Sequence, residues 1–167
     1  MTTLLTSSVF LMRNLLLALL LLRISIFDFQ YYKIPNEYIV AIIGNWMIFQ
    51  ICEAPSSSLE GLLSAVVTAG FVLAVAVGSD RLLKRKSLGG GDVKLIFAVS
   101  MYLGMERSLL MLFLACILGL VTYGICSVFH HKKELFEETS YRKINKNKKI
   151  PFGPSIVAST IFFLFFP

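Results

Sequence analysis

An all-α polytopic membrane protein, a bundle of about six transmembrane helices, is the fold class this sequence predicts. Three observations predict it. Of the 167 residues, 56% are hydrophobic and 14 are phenylalanine, with a mean hydropathy of +0.76, whereas soluble domains are roughly 45–50% apolar. Only 16% are charged, against about 25% in soluble domains. The apolar residues also fall into six runs divided by polar stretches. A water-soluble fold of this size has too little interior to hide so many Leu, Ile, Val and Phe side chains.

The first run covers Leu4–Phe27 and is interrupted by Arg13 and Arg23. No basic stretch precedes Arg13 and no small-residue cleavage site follows, so the run is expected to stay as a helix instead of being removed as a signal peptide. The second run, Tyr38–Ile51, follows Pro35, which biases Ile34 toward extended backbone and leaves Asn36 placed to cap a helix. The third covers Leu59–Ser79, the fourth Val93–Leu103 and the fifth Leu109–Phe129. The sixth, Phe152–Phe166, is entered through Pro151 and Pro154, where a proline forfeits little hydrogen bonding. Runs three and five match the roughly 20 residues of an ordinary span, while two, four and six are short. A helix from Asp92 to Gly104 rises only about 20 Å against a hydrocarbon layer of about 30 Å. Asp92 is therefore expected inside the nominal membrane boundary, in a water-accessible dip. The whole chain, 1–167, reads as one domain, with 130–149 as a basic loop within it and a short amphipathic helix near Glu134–Thr139.

The net charge of +6 is mostly topology. Arg81, Lys84, Arg85 and Lys86 fall in one loop, and Lys132, Lys133, Arg142, Lys143, Lys146, Lys148 and Lys149 in another. Lys33 lies in the first loop, and the opposite turns hold one basic residue between them. The positive-inside bias puts the first, third and fifth loops in the cytoplasm and both chain ends outside, with attraction to anionic lipid. The lysines are not interleaved with stacking aromatics, so no nucleic-acid partner is expected. Cys52, Cys116 and Cys126 form no CxxC pair, which supports neither a disulfide framework nor a cysteine zinc site. His130 and His131 are adjacent, so their side chains do not share a helix face, and no metal or other cofactor is expected.

Two acids then share the cytoplasmic side. Asp28 ends run one in "ISIFDFQYYKIPN" and Asp92 begins run four in "GGGDVKL", 64 positions apart. A carboxylate beside lipid is expensive unless water, a proton or a polar partner accompanies it. Two close carboxylates cannot cheaply both ionise, so they share a proton and titrate as a pair. One oxygen then takes a proton from an attacking water while the other donates toward the developing oxyanion, and the roles reverse for the leaving amine. Gly89, Gly90 and Gly91 permit close approach and unusual dihedrals just before Asp92, or simply let the loop enter the helix. The stretch is not a Walker A loop, since the lysine and hydroxyl pattern is absent. Lys94, two positions on, is off the Asp92 face and reads as a snorkelling residue or a tuner of local potential. Asp80 sits beside Arg81 and reads as a paired surface acid.

These stretches resemble the type IV prepilin peptidase family, membrane aspartyl proteases with a GxGD signature. Asp28 followed by Lys33-Ile34-Pro35-Asn36, then Gly89 to Leu95, then Ile150-Pro151-Phe152-Gly153-Pro154 match in order, and the similarity runs from the first apolar run into the sixth. The resemblance implies that Asp28 and Asp92 are the catalytic pair. It implies prepilin or pseudopilin precursors as substrates, a basic leader removed at the cytoplasmic face of the inner membrane, and a link to pilus or type II secretion machinery. Glu37 is the candidate contact for the basic leader, and Pro151 to Pro154 would lie at the site's mouth or start the last helix. Larger bifunctional relatives carry an extra cysteine-based metal motif and methylate the product; this chain looks like the short, peptidase-only form. Without the resemblance, paired membrane acids also suit a small transporter or channel component, and a non-catalytic pilus assembly scaffold is the plainest reading.

Overall fold

The computed structural model describes residues 2–31, 33–52, 56–83, 89–134 and 152–166. It is all-helical over these residues, with six helices: α1 (Thr2–Tyr31), α2 (Asn36–Cys52), α3 (Ser56–Leu83), α4 (Gly90–Leu103), α5 (Met105–Glu134) and α6 (Gly153–Phe165). Each expected run is a helix, and four of the six extend beyond the apolar residues at both ends because polar flanks continue the same turns. The sequence of long and short is regular. The odd helices hold 30, 28 and 30 residues, the even ones 17, 14 and 13. Three segments are long and apolar enough to cross a membrane, Val9–Tyr31, Leu59–Leu82 and Met105–Ile125, one from each odd helix. Leu15, Leu19, Leu63, Phe71, Phe113 and Leu120 are exposed on these helices, an apolar outer surface suited to lipid and not to water.

The short helix α4 is the centre of the bundle, packing against α2, α3, α5 and α6, while α1 closes the ring by packing on α2 and α6. Its buried residues Leu95, Ile96, Val99 and Leu103 meet Leu17, Leu21 and Ile24 of α1, Ile42 of α2, Met111 of α5 and Ile156 of α6 in one core. The approach of α3 to α4 is close. A Cβ on Gly61 would stand 2.7 Å from the Met101 carbonyl oxygen, and small residues are what allow membrane helices to approach this closely. Beside that contact Ser64 donates to the Ser100 carbonyl at 3.2 Å, and its hydroxyl lies 3.2 Å from that of Ser108, so three helices are joined by polar groups away from solvent. Lower on α4, the Tyr102 hydroxyl donates to the Ile42 carbonyl at 2.7 Å and accepts from Asn45 at 3.0 Å. Its ring and that of Phe10 lie over the buried Arg13 guanidinium, at 5.7 and 4.7 Å.

A single residue joins α4 to α5. Gly104 has φ of 76°, a conformation that strains any side chain, and its N–H reaches the Ser100 carbonyl while its own carbonyl accepts from Ser108. The chain thus reverses without leaving a loop. The expected amphipathic turn near Glu134–Thr139, most of the 130–149 loop, Lys84 to Lys86 and Pro151 lie outside the described residues or their described side chains.

Candidate active site

Asp28 reaches the interior because of where it falls on α1. Leu17, Leu21 and Ile24 form the buried stripe of that helix, and the next position on the stripe is Asp28, itself only 5% exposed. A carboxylate there needs a donor, and a helix N-terminus supplies one, because its first N–H groups have no partner within the helix. The backbone N–H of Gly153, the first residue of α6, donates to Asp28 Oδ2 at 3.0 Å across 125 positions of sequence. α6 has no side-chain cap from its own N-cap residue, Phe152. The acid of α1 thus serves as the cap of α6, with the positive end of the α6 dipole facing it. Glycine is required for this contact. A Cβ at position 153 would stand 2.9 Å from Asp28 Cγ and 3.2 Å from its Cβ, and would run into Oδ2.

Phe152 sets the position of that N-terminus. Its ring lies over Gly119 of α5, where an added Cβ would be 2.6 Å from the ring. Pro154 occupies the start of α6, where its missing N–H is harmless. Together these residues make the late proline-glycine motif a device for presenting one N–H to Asp28.

Asp92 is held by a local turn. Gly89 is the N-cap of α4 and Asp92 lies in the first helical turn, its N–H bonded to the Gly89 carbonyl at 3.1 Å. The side chain accepts the Gly89 backbone N–H in return, which is one half of a capping box. Asp28 and Asp92 lie at the same end of the bundle, because Ile34, three residues past the end of α1, packs against Gly91, the neighbour of Asp92. The glycines before it do not adopt unusual dihedrals: Gly89 has φ of −73°, and Gly104 is the positive-φ glycine among the described residues. What they provide is closeness. A Cβ on Gly91 would be 3.2 Å from Ile34 Cβ, and one on Gly89 would be 3.0 Å from Asp92 Oδ2.

The Lys33 to Asn36 stretch is drawn onto the same end of the bundle. Besides the Ile34–Gly91 contact, Lys94 Nζ donates to Asn36 Oδ1 at 3.0 Å. Asn36 opens α2, but this oxygen bridges to α4, and Lys94 turns away from Asp92 toward α2 as its position on the helix requires. Pro35 is half-buried, while Glu37, in the first turn of α2, and Lys33 are exposed. Among the described residues no group of three or more His, Cys, Asp or Glu side chains gathers to hold a metal ion.

Sequence reasoning passed over Gly119, and its signal was faint, a lone glycine within an apolar run. Arg13 was visible as an interruption, but its burial was not. It falls four positions before Leu17 on the same stripe that carries Asp28, and that spacing was the available clue.

Three comparisons bear on these residues. A prepilin leader peptidase/N-methyltransferase of Bacillus subtilis (strain 168) is 24% identical over 142 residues, covering 85% of this chain and 50% of that relative. The chain thus spans about half the length of the curated relative it matches. No solved structure matches. The sequence matches the type IV leader peptidase family over residues 15–124, an interval that includes Asp28, Asn36, Asp92, Lys94 and Gly119. With that match over well beyond half its length, the chain belongs to the type IV leader peptidase family.

Proposed function

We propose that this chain is an aspartic endopeptidase that removes the basic leader from prepilin or pseudopilin precursors at the cytoplasmic face of the inner membrane. The observation that carries this reading is the convergence of Asp28 and Asp92 at one end of the bundle, each oriented by a backbone N–H at a helix start. A carboxylate fixed by a backbone donor does not have to reorganise as charge moves during reaction. The pair holds one proton between them. One carboxylate takes a proton from the attacking water, and the other donates toward the oxygen of the scissile carbonyl. The exchange reverses as the amine departs, so the pair is regenerated and no further cofactor is consumed.

Orientation follows from charge. The end bearing the acids also bears Lys33, Arg81 and Lys94, which the positive-inside bias assigns to the cytoplasm. Because α4 begins at Gly90 and rises only about 21 Å over its 14 residues, Asp92 lies in a recess that water reaches from that side. Glu37, exposed at the start of α2, is the acid available to meet a basic leader.

Leader cleavage in membranes carrying the wild type, Asp28→Asn or Asp92→Asn tests the reading. Each amide keeps the shape of the acid and abolishes proton exchange. Neither variant is expected to clip the precursor at normal abundance. Full clipping by both would eliminate the assigned pair, and cation flux that depends on the acids without clipping would point to a transporter.

A further inference from the structure

The two acids stand on helices whose register is set through their neighbours. α1 packs on α2 and α6, and α4 packs on α2, α3, α5 and α6. The position of Asp28 relative to Asp92 is therefore passed on by α6 on one side and by the connector from α1 to α2 on the other. The α6 side has its tie in the Gly153 N–H on Asp28. On the other side Lys33, Ile34 and Pro35 run in non-helical backbone toward α2, and two contacts fasten this stretch to the first turns of α4. Ile34 lies against Gly91, and Asn36 Oδ1 accepts from Lys94 Nζ across 58 positions of sequence. Gly91 and Lys94 bracket Asp92, and α1 ends at Tyr31, just past Asp28.

We infer that Asn36 and Lys94 are positioning residues, a clasp that holds the end of α1 against the start of α4 and so sets the spacing of the two carboxylates. The inference rests on the peptidase reading and adds which groups keep its reacting geometry. Direction is the first argument. Two positions along a helix point away from each other, so Lys94 does not reach Asp92 and acts through Asn36 instead. The second is what Asn36 forgoes: its side-chain oxygen, an acceptor fit to cap a helix locally, reaches across to α4. Leverage is the third. The Tyr102 hydroxyl already fixes the far part of α2 to α4 through the Ile42 carbonyl. The clasp then decides where the near end of α2 stands, and with it the end of α1.

The test uses the full chain in phospholipid vesicles and a synthetic peptide with a lysine-rich leader, a glycine and an apolar stem of about 20 residues. Asn36→Ala and Lys94→Met each remove one half of the clasp. Each is expected to lower kcat about tenfold with KM within about twofold of the wild type, since misaligned acids cost rate more than binding. The double variant should fall no further than the poorer single, because both act through one bond. Lys94→Arg keeps the donor and should recover most of the rate that Lys94→Met loses. Geometry is read independently of activity by spin labels at the exposed positions Gln30 and Gly90, each two residues from an acid, in a chain whose three cysteines are replaced by serine. The label-to-label distances are expected to be narrowly distributed in the wild type and Lys94→Arg, and broadened in Asn36→Ala and Lys94→Met. An unchanged distribution in Asn36→Ala would overturn the clasp. So would loss of rate in Lys94→Met with none in Asn36→Ala, which leaves only the lysine charge, or a raised KM with kcat retained, which makes the pair a substrate contact. If the wild type does not cut the peptide, the peptidase reading falls, and the label distances still decide the clasp. Asn36 and Lys94 are both exposed, so neither replacement leaves a buried group unpaired; if Lys94→Met nonetheless fails to fold, Asn36→Ala decides.

Discussion

Replacing Gly153 by alanine puts a methyl group where the Asp28 carboxylate sits. The added carbon would stand 2.9 Å from Asp28 Cγ, whereas non-bonded carbons rest about 3.5–4.0 Å apart. Either the carboxylate or the start of α6 must therefore retreat by about 0.6–1.1 Å. The Gly153 N–H to Oδ2 bond, 3.0 Å long, would stretch past about 3.6 Å, where it ceases to be a hydrogen bond. Two consequences follow. The fold loses a hydrogen bond to a charged group, worth about 1.5–3 kcal/mol, partly offset where water reaches the freed groups. The reacting geometry also shifts by about 1 Å, which costs on the order of 10²-fold in rate. The assay is leader cleavage by purified Gly153→Ala protein, read as separate kcat and KM, alongside thermal unfolding of the same preparation. A fall in kcat of about 10²-fold with KM little changed is expected. A folded Gly153→Ala enzyme cleaving at the wild-type rate would refute the claim that this N–H positions Asp28.

Other substitutions probe the same scaffold at a distance. Gly119→Ala would place a Cβ 2.6 Å from the Phe152 ring and so push the start of α6; cleavage is expected to fall about tenfold or more, and Phe152→Leu in the same chain, by making room, should recover part of the loss. Gly61→Ala would bring a Cβ within 2.7 Å of the Met101 carbonyl oxygen, and overpacking of this kind costs roughly 1–3 kcal/mol, measurable as a lower unfolding midpoint in detergent. Tyr102→Phe leaves the Ile42 carbonyl and the Asn45 amide without the hydroxyl that serves both; a loss of about 1–3 kcal/mol is expected, with Asn45→Ala adding less in the double variant than alone because the two act through one bond network.

The helices were legible because each is written locally. Pro35 before Asn36, and Gly89 and Gly104 on either side of α4, mark ends that depend on neighbouring residues alone. Helix ends beyond the apolar runs were less so, because Ser56 to Ser58 and Glu106 to Ser108 are neutral about helix until the bundle gives them somewhere to go. Asp28 and Asp92 were also readable, since an acid at the edge of an apolar run needs a reason. Glycine roles were only half readable: the GGG stretch suggested strained backbone, and the structure uses it for close packing against Ile34 and Asp92.

By itself the sequence determined that this chain is an all-helical membrane protein with two acids at one end, because hydropathy, charge placement and turn residues act over a few positions and need no fold to be read. Only the tertiary structure decided that the acid of α1 caps α6, that Phe152 rests on Gly119, and that α4, the second shortest helix, is the one the others surround. Those facts join positions as far as 125 apart, and nothing in the local pattern says which of several unpaired helix starts will meet a given carboxylate. That choice is made by how the apolar stripes pack, since burying them fixes the helix order and leaves each polar group only the partners that order brings within reach.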